Sequence, residues 1–307
     1  MPEPNNKKHP NLLDWFSAAR IRTLPLAMAV VGMGNFIHFG ERNFRMDVLI
    51  LSMVTTVFLQ VLSNFANDLG DSRHGADHSG RQGPARMVQQ GKISSDAMKK
   101  AAGLMALLSL ISGTWLLITT FSTDWTKSIP LFCAGLLAIA AAWFYTNGKR
   151  PYGYLALGDL AVFLFFGLLA VSGSAWLQKP VFLPEFLLPA TAAGFWSVAV
   201  LNLNNMRDFD SDKIAGKISI PLLIGLKKAK IYQCILVAGG GISLLLFGRI
   251  NQNPAVYGAI PGILLMSSAL YRSLTSRSPA QFDKLLKPQA VGTFLAVLGM
   301  YLAALFF

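Results

Sequence analysis

Charge is scarce in this 307-residue chain: 14% of the residues are Asp, Glu, Lys or Arg, 53% are hydrophobic, and the mean hydropathy is +0.47. That balance excludes an ordinary soluble domain. Acids are scarcer still, 15 against 27 Lys and Arg, for a formal charge of +12. In so apolar a chain this excess reads as the loop bias of a polytopic membrane protein and contact with anionic lipid headgroups, and no nucleic-acid partner is expected. Cys133 and Cys234 both fall in apolar runs with neither CxxC nor Cys/His metal spacing, so they read as small buried hydrophobes and imply no disulfide. His74 and His78 stand at i, i+4, but nothing supplies the rest of a tetrahedral zinc set. No GxxxxGK[ST] and no EF-hand spacing occurs, which excludes those nucleotide and calcium sites. No small-residue cleavage site follows the polar start Met1–Pro10, so the first apolar run is expected to act as the first membrane helix.

What is present is a series of long apolar runs. A spanning helix needs about 20 mostly apolar residues, and nine candidates lie near 16–39, 47–67, 98–121, 128–146, 155–177, 183–203, 230–248, 254–272 and 289–307. The expectation is an all-α, single-domain membrane protein over residues 1–307, a bundle of nine transmembrane helices. Of the 27 Lys and Arg, all but Arg42, Arg45, Lys127, Lys179 and Arg249 belong to the N-terminus and alternate loops. The positive-inside rule then places the N-terminus in the cytoplasm and the C-terminus outside.

The two longest cytoplasmic connections follow the second and sixth helices, and each opens on an acidic motif. Asn64 precedes Asp68 by four residues, with Asp71 three further on; Asn204 precedes Asp208 by four, with Asp212 four further on. Helical continuation would place each set on one face. Carboxylates at a helix C-terminus also face the negative end of its dipole. A hard cation relieves both penalties, and converging carboxylate and carbonyl oxygens suit Mg²⁺, with water and phosphate completing the shell. Interspersed bases, Arg22, Arg81, Arg86, Lys149, Arg207 and Lys217, could grip diphosphate oxygens; any one of them could equally be a topology-setting charge. The matched spacing, four helices apart, suggests duplication of a four-helix unit plus a ninth helix.

These residues resemble the intramembrane aromatic prenyltransferases, the superfamily that makes the side chains of ubiquinone, menaquinone, haem and chlorophyll. The resemblance runs nearly the whole chain. Ala19-Arg20-Ile-Arg22-Thr23-Leu-Pro25, Asn67-Asp68-x-x-Asp71 through Gly75-x-Asp77, Arg81-x-Gly-Pro84-x-Arg86, Tyr145-Thr-x-Gly148 with Pro151-x-Gly-Tyr154, Gly158-Asp159, and Asn204-Asn205-x-Arg207-Asp208 through Gly216-Lys217 look like its dihydroxynaphthoate branch. The commoner first motif carries another Asp four residues after Asp71, where Gly75 stands here, which leaves open whether Asp77 ligates metal or orders the loop.

The resemblance implies transfer of a polyprenyl chain from polyprenyl diphosphate to 1,4-dihydroxy-2-naphthoate with loss of CO2 and pyrophosphate, in a bacterial inner membrane. Mg²⁺ would be held by Asn64, Asp68, Asp71, Asp208 and Asp212, the four carboxylates being the catalytic set. Tyr145, Phe165 and Phe166 could present π faces to an allylic cation, although packing is the commoner role of such aromatics. Asp159 would cap the fifth helix or meet the acceptor's hydroxyl, capping being favoured. The alternatives are 4-hydroxybenzoate as acceptor and, in another class, a cation-coupled transporter. Transporter sites usually lie near the bilayer midplane on broken helices, whereas these acids fall at helix ends.

Overall fold

The computed structural model describes residues 10–73 and 86–307. Among the described residues there are nine helices long and apolar enough to cross a membrane and no strand. The all-α bundle expected from the apolar runs is therefore the fold. His74, Asp77, His78 and Arg81 lie outside the described residues.

The first span is two helices. The first, α1 (Leu12–Ala19), starts in a capping box: Asp14 N–H donates to Asn11 Oδ1 at 2.8 Å and Asn11 N–H to Asp14 Oδ2 at 3.1 Å. It stops at Arg20, whose φ of 48° and ψ of 56° are left-handed. A short 3₁₀ turn, Ile21–Thr23, leads to α2 (Leu24–Phe36), where Pro25 occupies the first turn without loss of a hydrogen bond. Next come α3 (Met46–Arg73), α4 (Ser95–Phe121) and α5 (Trp125–Phe144). One composite span follows: α6 (Gly158–Val162), a π-helical stretch Phe163–Leu169, and α7 (Ala170–Gln178).

The second half begins with α8 (Leu187–Arg207), which hands over at Asp208 to the short α9 (Phe209–Ile214). The long α10 (Ile220–Ile250) is kinked at Gly225, whose φ of 79° only glycine adopts readily. Then come α11 (Ile260–Thr275) and α12 (Pro279–Ala303). The last two pack by backbone approach, because a Cβ on Gly262 would come within 2.3 Å of the Gly292 carbonyl oxygen and the Ala296 nitrogen. Such small-residue seams are how membrane helices gain van der Waals contact where lipid gives no hydrophobic drive. The largest core, centred on the fully buried Trp196, gathers α2, α7, α8, α10 and α12. A second core joins α1, α3 and α4 to Met87 and Ile93. Trp115, Leu137 and Ile231 project outward, more than 60% exposed, as lipid-facing side chains do.

Two spans start earlier than hydropathy alone implies. For α10 the run begins at Ile220 rather than near 230, and for α12 at Pro279 rather than near 289. In both, lysines lower the hydropathy of a helical turn that a first-turn proline, Pro221 or Pro279, helps to start.

Candidate active site

The first motif stays inside α3, which runs through Asp71 to Arg73. Its residues are buried and already engaged. Asn64 donates from Nδ2 to the Ala19 carbonyl at 2.8 Å and to Thr23 Oγ1 at 3.1 Å, tying α3 to the break between α1 and α2. Asp68 accepts from the backbone N–H groups of Met87 (3.0 Å) and Val88 (3.1 Å), so its carboxylate anchors the returning end of the connection. Asp71 accepts from the Tyr154 hydroxyl at 2.9 Å and pairs with the buried Arg86 guanidinium.

Gly70 lets the next segment close on these acids. A Cβ there would lie 2.5 Å from both the carbonyl oxygen and Oγ1 of Thr146. Thr146 donates to the Ala66 carbonyl (3.1 Å) and to Asn67 Oδ1 (3.2 Å), and Asn147 donates to the same carbonyl at 2.9 Å. The residues after α5 are thereby docked on the acidic turn, with Tyr145 edge-on to Tyr152. Burial pushes the Tyr152 phenol up to about 12, and its hydroxyl donates to the Ala141 carbonyl at 2.7 Å.

The second motif differs from the first. The helix α8 ends at Arg207, and Asp208 (φ −90°, ψ 11°) turns the chain into α9, so Asp212 does not continue the face of Asn204 and Asp208. Arg207 grips both oxygens of Asp208, from Nε at 2.8 Å and Nη2 at 2.7 Å, and donates from Nη1 to Asp283 at 2.8 Å. Lys217 donates to Asp212 Oδ2 at 3.0 Å. A backbone bridge closes the two halves: Ile218 N–H donates to the Tyr154 carbonyl and Ala156 N–H to the Ile218 carbonyl, each at 3.0 Å. Tyr154 thus joins the second motif's loop through its backbone and the first motif through its hydroxyl.

A cavity of about 460 Å³ lies between the motifs. Asn64, Asp71 and Arg86 line it from the first side, Asn204, Arg207 and Asp208 from the second, and Lys217 and Tyr145 also face it. Asp68 and Asp212 sit behind this wall, and Arg22 and Lys149 are exposed outside it. Arg20, Asn67 and Asn205 line it although composition and spacing gave no reason to choose them. Tyr154 is a further partner missed, visible in the sequence only as part of a family-like segment. No side chain caps α6; Asp159 is buried in its first turn, facing Tyr232, with Oδ2 lacking a hydrogen-bond partner.

The cavity continues between apolar walls. Leu26 and Val30 of α2, Leu59 of α3, and Phe165 and Phe166 of the π-helical stretch line it. Asp71 and Ser52 both face it and lie nineteen residues apart on α3, about 28 Å along the axis. That is close to the roughly 30 Å of a bilayer's hydrocarbon core. Phe132 and Leu136 of α5 line the cavity yet are 37% and 43% exposed, so its edge opens toward lipid between α5 and the π-helical stretch.

Among the described residues no three acids, histidines or cysteines gather as a preformed metal cage. Among the described residues the donors facing the cavity are nonetheless hard carboxylate and amide oxygens with no thiolate or imidazole, and Mg²⁺ commonly takes one or two carboxylates together with water and substrate phosphate. Buried guanidinium groups stand beside the same carboxylates. The donor set fits a Mg²⁺-bound diphosphate.

Fold and site together define a multi-pass membrane protein with a cavity ionic at one end and largely apolar along about a membrane's thickness. The UbiA prenyltransferase family matches residues 26–298, and the chain belongs to that family. A Haemophilus influenzae protein named 1,4-dihydroxy-2-naphthoate octaprenyltransferase is 40% identical over 76% of both chains. An Escherichia coli protein of the same name is 36% identical over 94% of this chain and 95% of its own. Among solved structures, the apo UbiA homolog from Aeropyrum pernix superposes with a TM-score of 0.69 at 16% identity, covering 92% of this chain and 98% of that one. The Archaeoglobus fulgidus UbiA homolog bound to GPP and Mg²⁺ does so with a TM-score of 0.65 at 16% identity, covering 95% and 99%. At that identity the likeness concerns the fold.

Proposed function

We propose that the protein transfers a polyprenyl chain from polyprenyl diphosphate to 1,4-dihydroxy-2-naphthoate, releasing CO2 and pyrophosphate and forming demethylmenaquinol. The observation that carries this reading is the single cavity joining the ionic chamber between both Asp motifs to an apolar groove of membrane length. The relatives' names support the acceptor.

In this reading Arg86, Arg207 and Lys217 hold the diphosphate oxygens, charge-assisted donors being the strong ones. Arg20 adds a further positive charge at the rim. Asp71 and Asp208, with Asn64, Asn204 and water, would hold Mg²⁺; Asp68 holds the returning segment and Asp212 orients Lys217. Bound at these residues, the ion would neutralise charge on the departing pyrophosphate. The prenyl C1–O bond breaks with its electron pair leaving on pyrophosphate. Tyr145, Phe165 and Phe166 wall off water and offer π faces to the allylic cation. The hydroquinone ring attacks through the carbon bearing the carboxylate, the new C–C bond forms, and the C–CO2 bond returns its pair to the ring. No ring proton need be removed there, so alignment is the main demand on the protein. Both motifs lie on the cytoplasmic side of a bacterial inner membrane, with the N-terminus inside and the C-terminus outside.

Purified protein supplied with a polyprenyl diphosphate and each candidate acceptor tests the proposal. Prenylated 1,4-dihydroxynaphthalene, abolished by EDTA and restored by Mg²⁺, is expected. Prenylation of 4-hydroxybenzoate with its carboxylate retained, and none of dihydroxynaphthoate, would overturn it.

A further inference from the structure

The end of the cavity remote from the Asp motifs is backed by a layer of polar side chains. Its last lining residues include Val31 of α2, Ser52 of α3, Leu117 of α4 and Leu177 of α7. One turn beyond Val31, the fully buried Asn35 donates from Nδ2 to the Val31 carbonyl (2.9 Å) and to Ser52 Oγ (3.3 Å). Next after Leu177, Gln178 donates from Nε2 to Asn35 Oδ1 at 2.6 Å and to the Arg45 carbonyl at 2.9 Å, while its Oε1 accepts from Arg45 N–H at 3.0 Å. The Gln178 amide therefore pairs with the whole backbone unit of Arg45. Arg45 in turn donates from its guanidinium to the Thr119 carbonyl at 3.0 Å. One connected layer spans α2, α3, α4 and α7 across the cavity's end. Opening it would leave the amide oxygen of the buried Asn35 unpaired, a larger penalty than an apolar wall imposes on being repacked.

We propose that this Asn35–Ser52–Gln178 layer is a stop for the prenyl tail, setting how much chain the protein encloses. The proposal rests on the prenyl-transfer reading. With the diphosphate at the ionic end, a tail running down the groove passes hydroxyls bonded within their own helices, such as Thr55 and Ser174, and reaches at Ser52 a polar layer that ties separate helices together. A hydrocarbon end can neither bond to that layer nor displace it. Longer tails turn out through the opening beside Phe132 and Leu136 into lipid. The enclosed length, about 28 Å from Asp71 to Ser52, is then a property of the stop.

The test is a donor-length series with dihydroxynaphthoate as acceptor, comparing geranyl, farnesyl, geranylgeranyl and longer diphosphates on the full chain in lipid nanodiscs. Ser52→Phe and, independently, Leu177→Trp each bring the end wall toward the motifs. For each variant the ratio of kcat/KM for the long donors to that for the geranyl donor should fall on the order of tenfold, the discrimination a pocket gains from misfit by even one methylene. A residue that merely supported the fold would lower all donors alike. An unchanged ratio in both variants, or equal loss with every donor including geranyl diphosphate, would overturn the stop. Failure of the unmodified protein to prenylate dihydroxynaphthoate with any donor would instead overturn the reading beneath it.

Discussion

Tyr154→Phe removes one hydroxyl and leaves the backbone bridge to Ile218 intact, so it isolates the contact that joins the two motifs. In the folded protein that hydroxyl donates to Asp71 Oδ1 at 2.9 Å, while Asp71 also pairs with Arg86. A hydrogen bond to a charged group is worth about 1.5–3 kcal/mol. Because Arg86 still holds the carboxylate, the lower figure applies, and about 1.4 kcal/mol corresponds to a factor of ten in rate. The expected outcome is a fall in kcat/KM of roughly tenfold from a protein that extracts, purifies and melts nearly as the unmodified one does. Prenyl transfer at limiting diphosphate, run beside a thermal unfolding curve in detergent, measures both. Unmodified kinetics, with Asp71 still essential, would show that Tyr154 does not position the cavity carboxylate.

Asp71→Asn or Asp208→Asn should lower turnover by at least about a hundredfold, the scale of losing one preorganised electrostatic group, and assays of membrane-inserted variants would detect residual rate. Both variants should also lower the melting temperature, because each takes a carboxylate from a buried guanidinium, Arg86 or Arg207, the latter keeping Asp283, a half-buried acid. Arg22→Gln and Lys149→Gln remove exposed charges outside the cavity and should cost less than about fivefold, the reach of a screened charge, whereas Arg86→Gln should cost more than tenfold by the same kinetic comparison. A cysteine placed at Ser79 should resist an impermeant thiol reagent added outside intact cells; labelling there would reverse the proposed topology.

The parts of the fold readable in the sequence were those set by composition over a helix's length. Nine apolar runs correspond to nine spans among the described residues, because the bilayer requirement is a sum over about 20 residues. Their ends were less legible: Lys227, Lys228 and Lys230 obscured the first turns of α10, and no glycine or proline marks the end of α8 at Arg207-Asp208. In the site, Asn-to-Asp spacing brought Asn64, Asp71, Asn204 and Asp208 to one cavity. Spacing could not show that Asp68 would be met by the amides of Met87 and Val88, or Asp71 by Tyr154, since these pairings join segments about 20 and 83 residues away. Arg20 looked like one more topology-setting base; its place at the cavity follows from the left-handed break at that residue.

The most direct measurement of the central claim follows two products at once. Dihydroxynaphthoate labelled with an isotope in its carboxyl carbon is incubated with the purified protein, Mg²⁺ and a polyprenyl diphosphate, and labelled CO2 and pyrophosphate are counted over time. The account predicts that they appear in step, in equal amounts, and both stop on chelation. Pyrophosphate release with the label retained in a prenylated acid, or CO2 release without pyrophosphate, would contradict it.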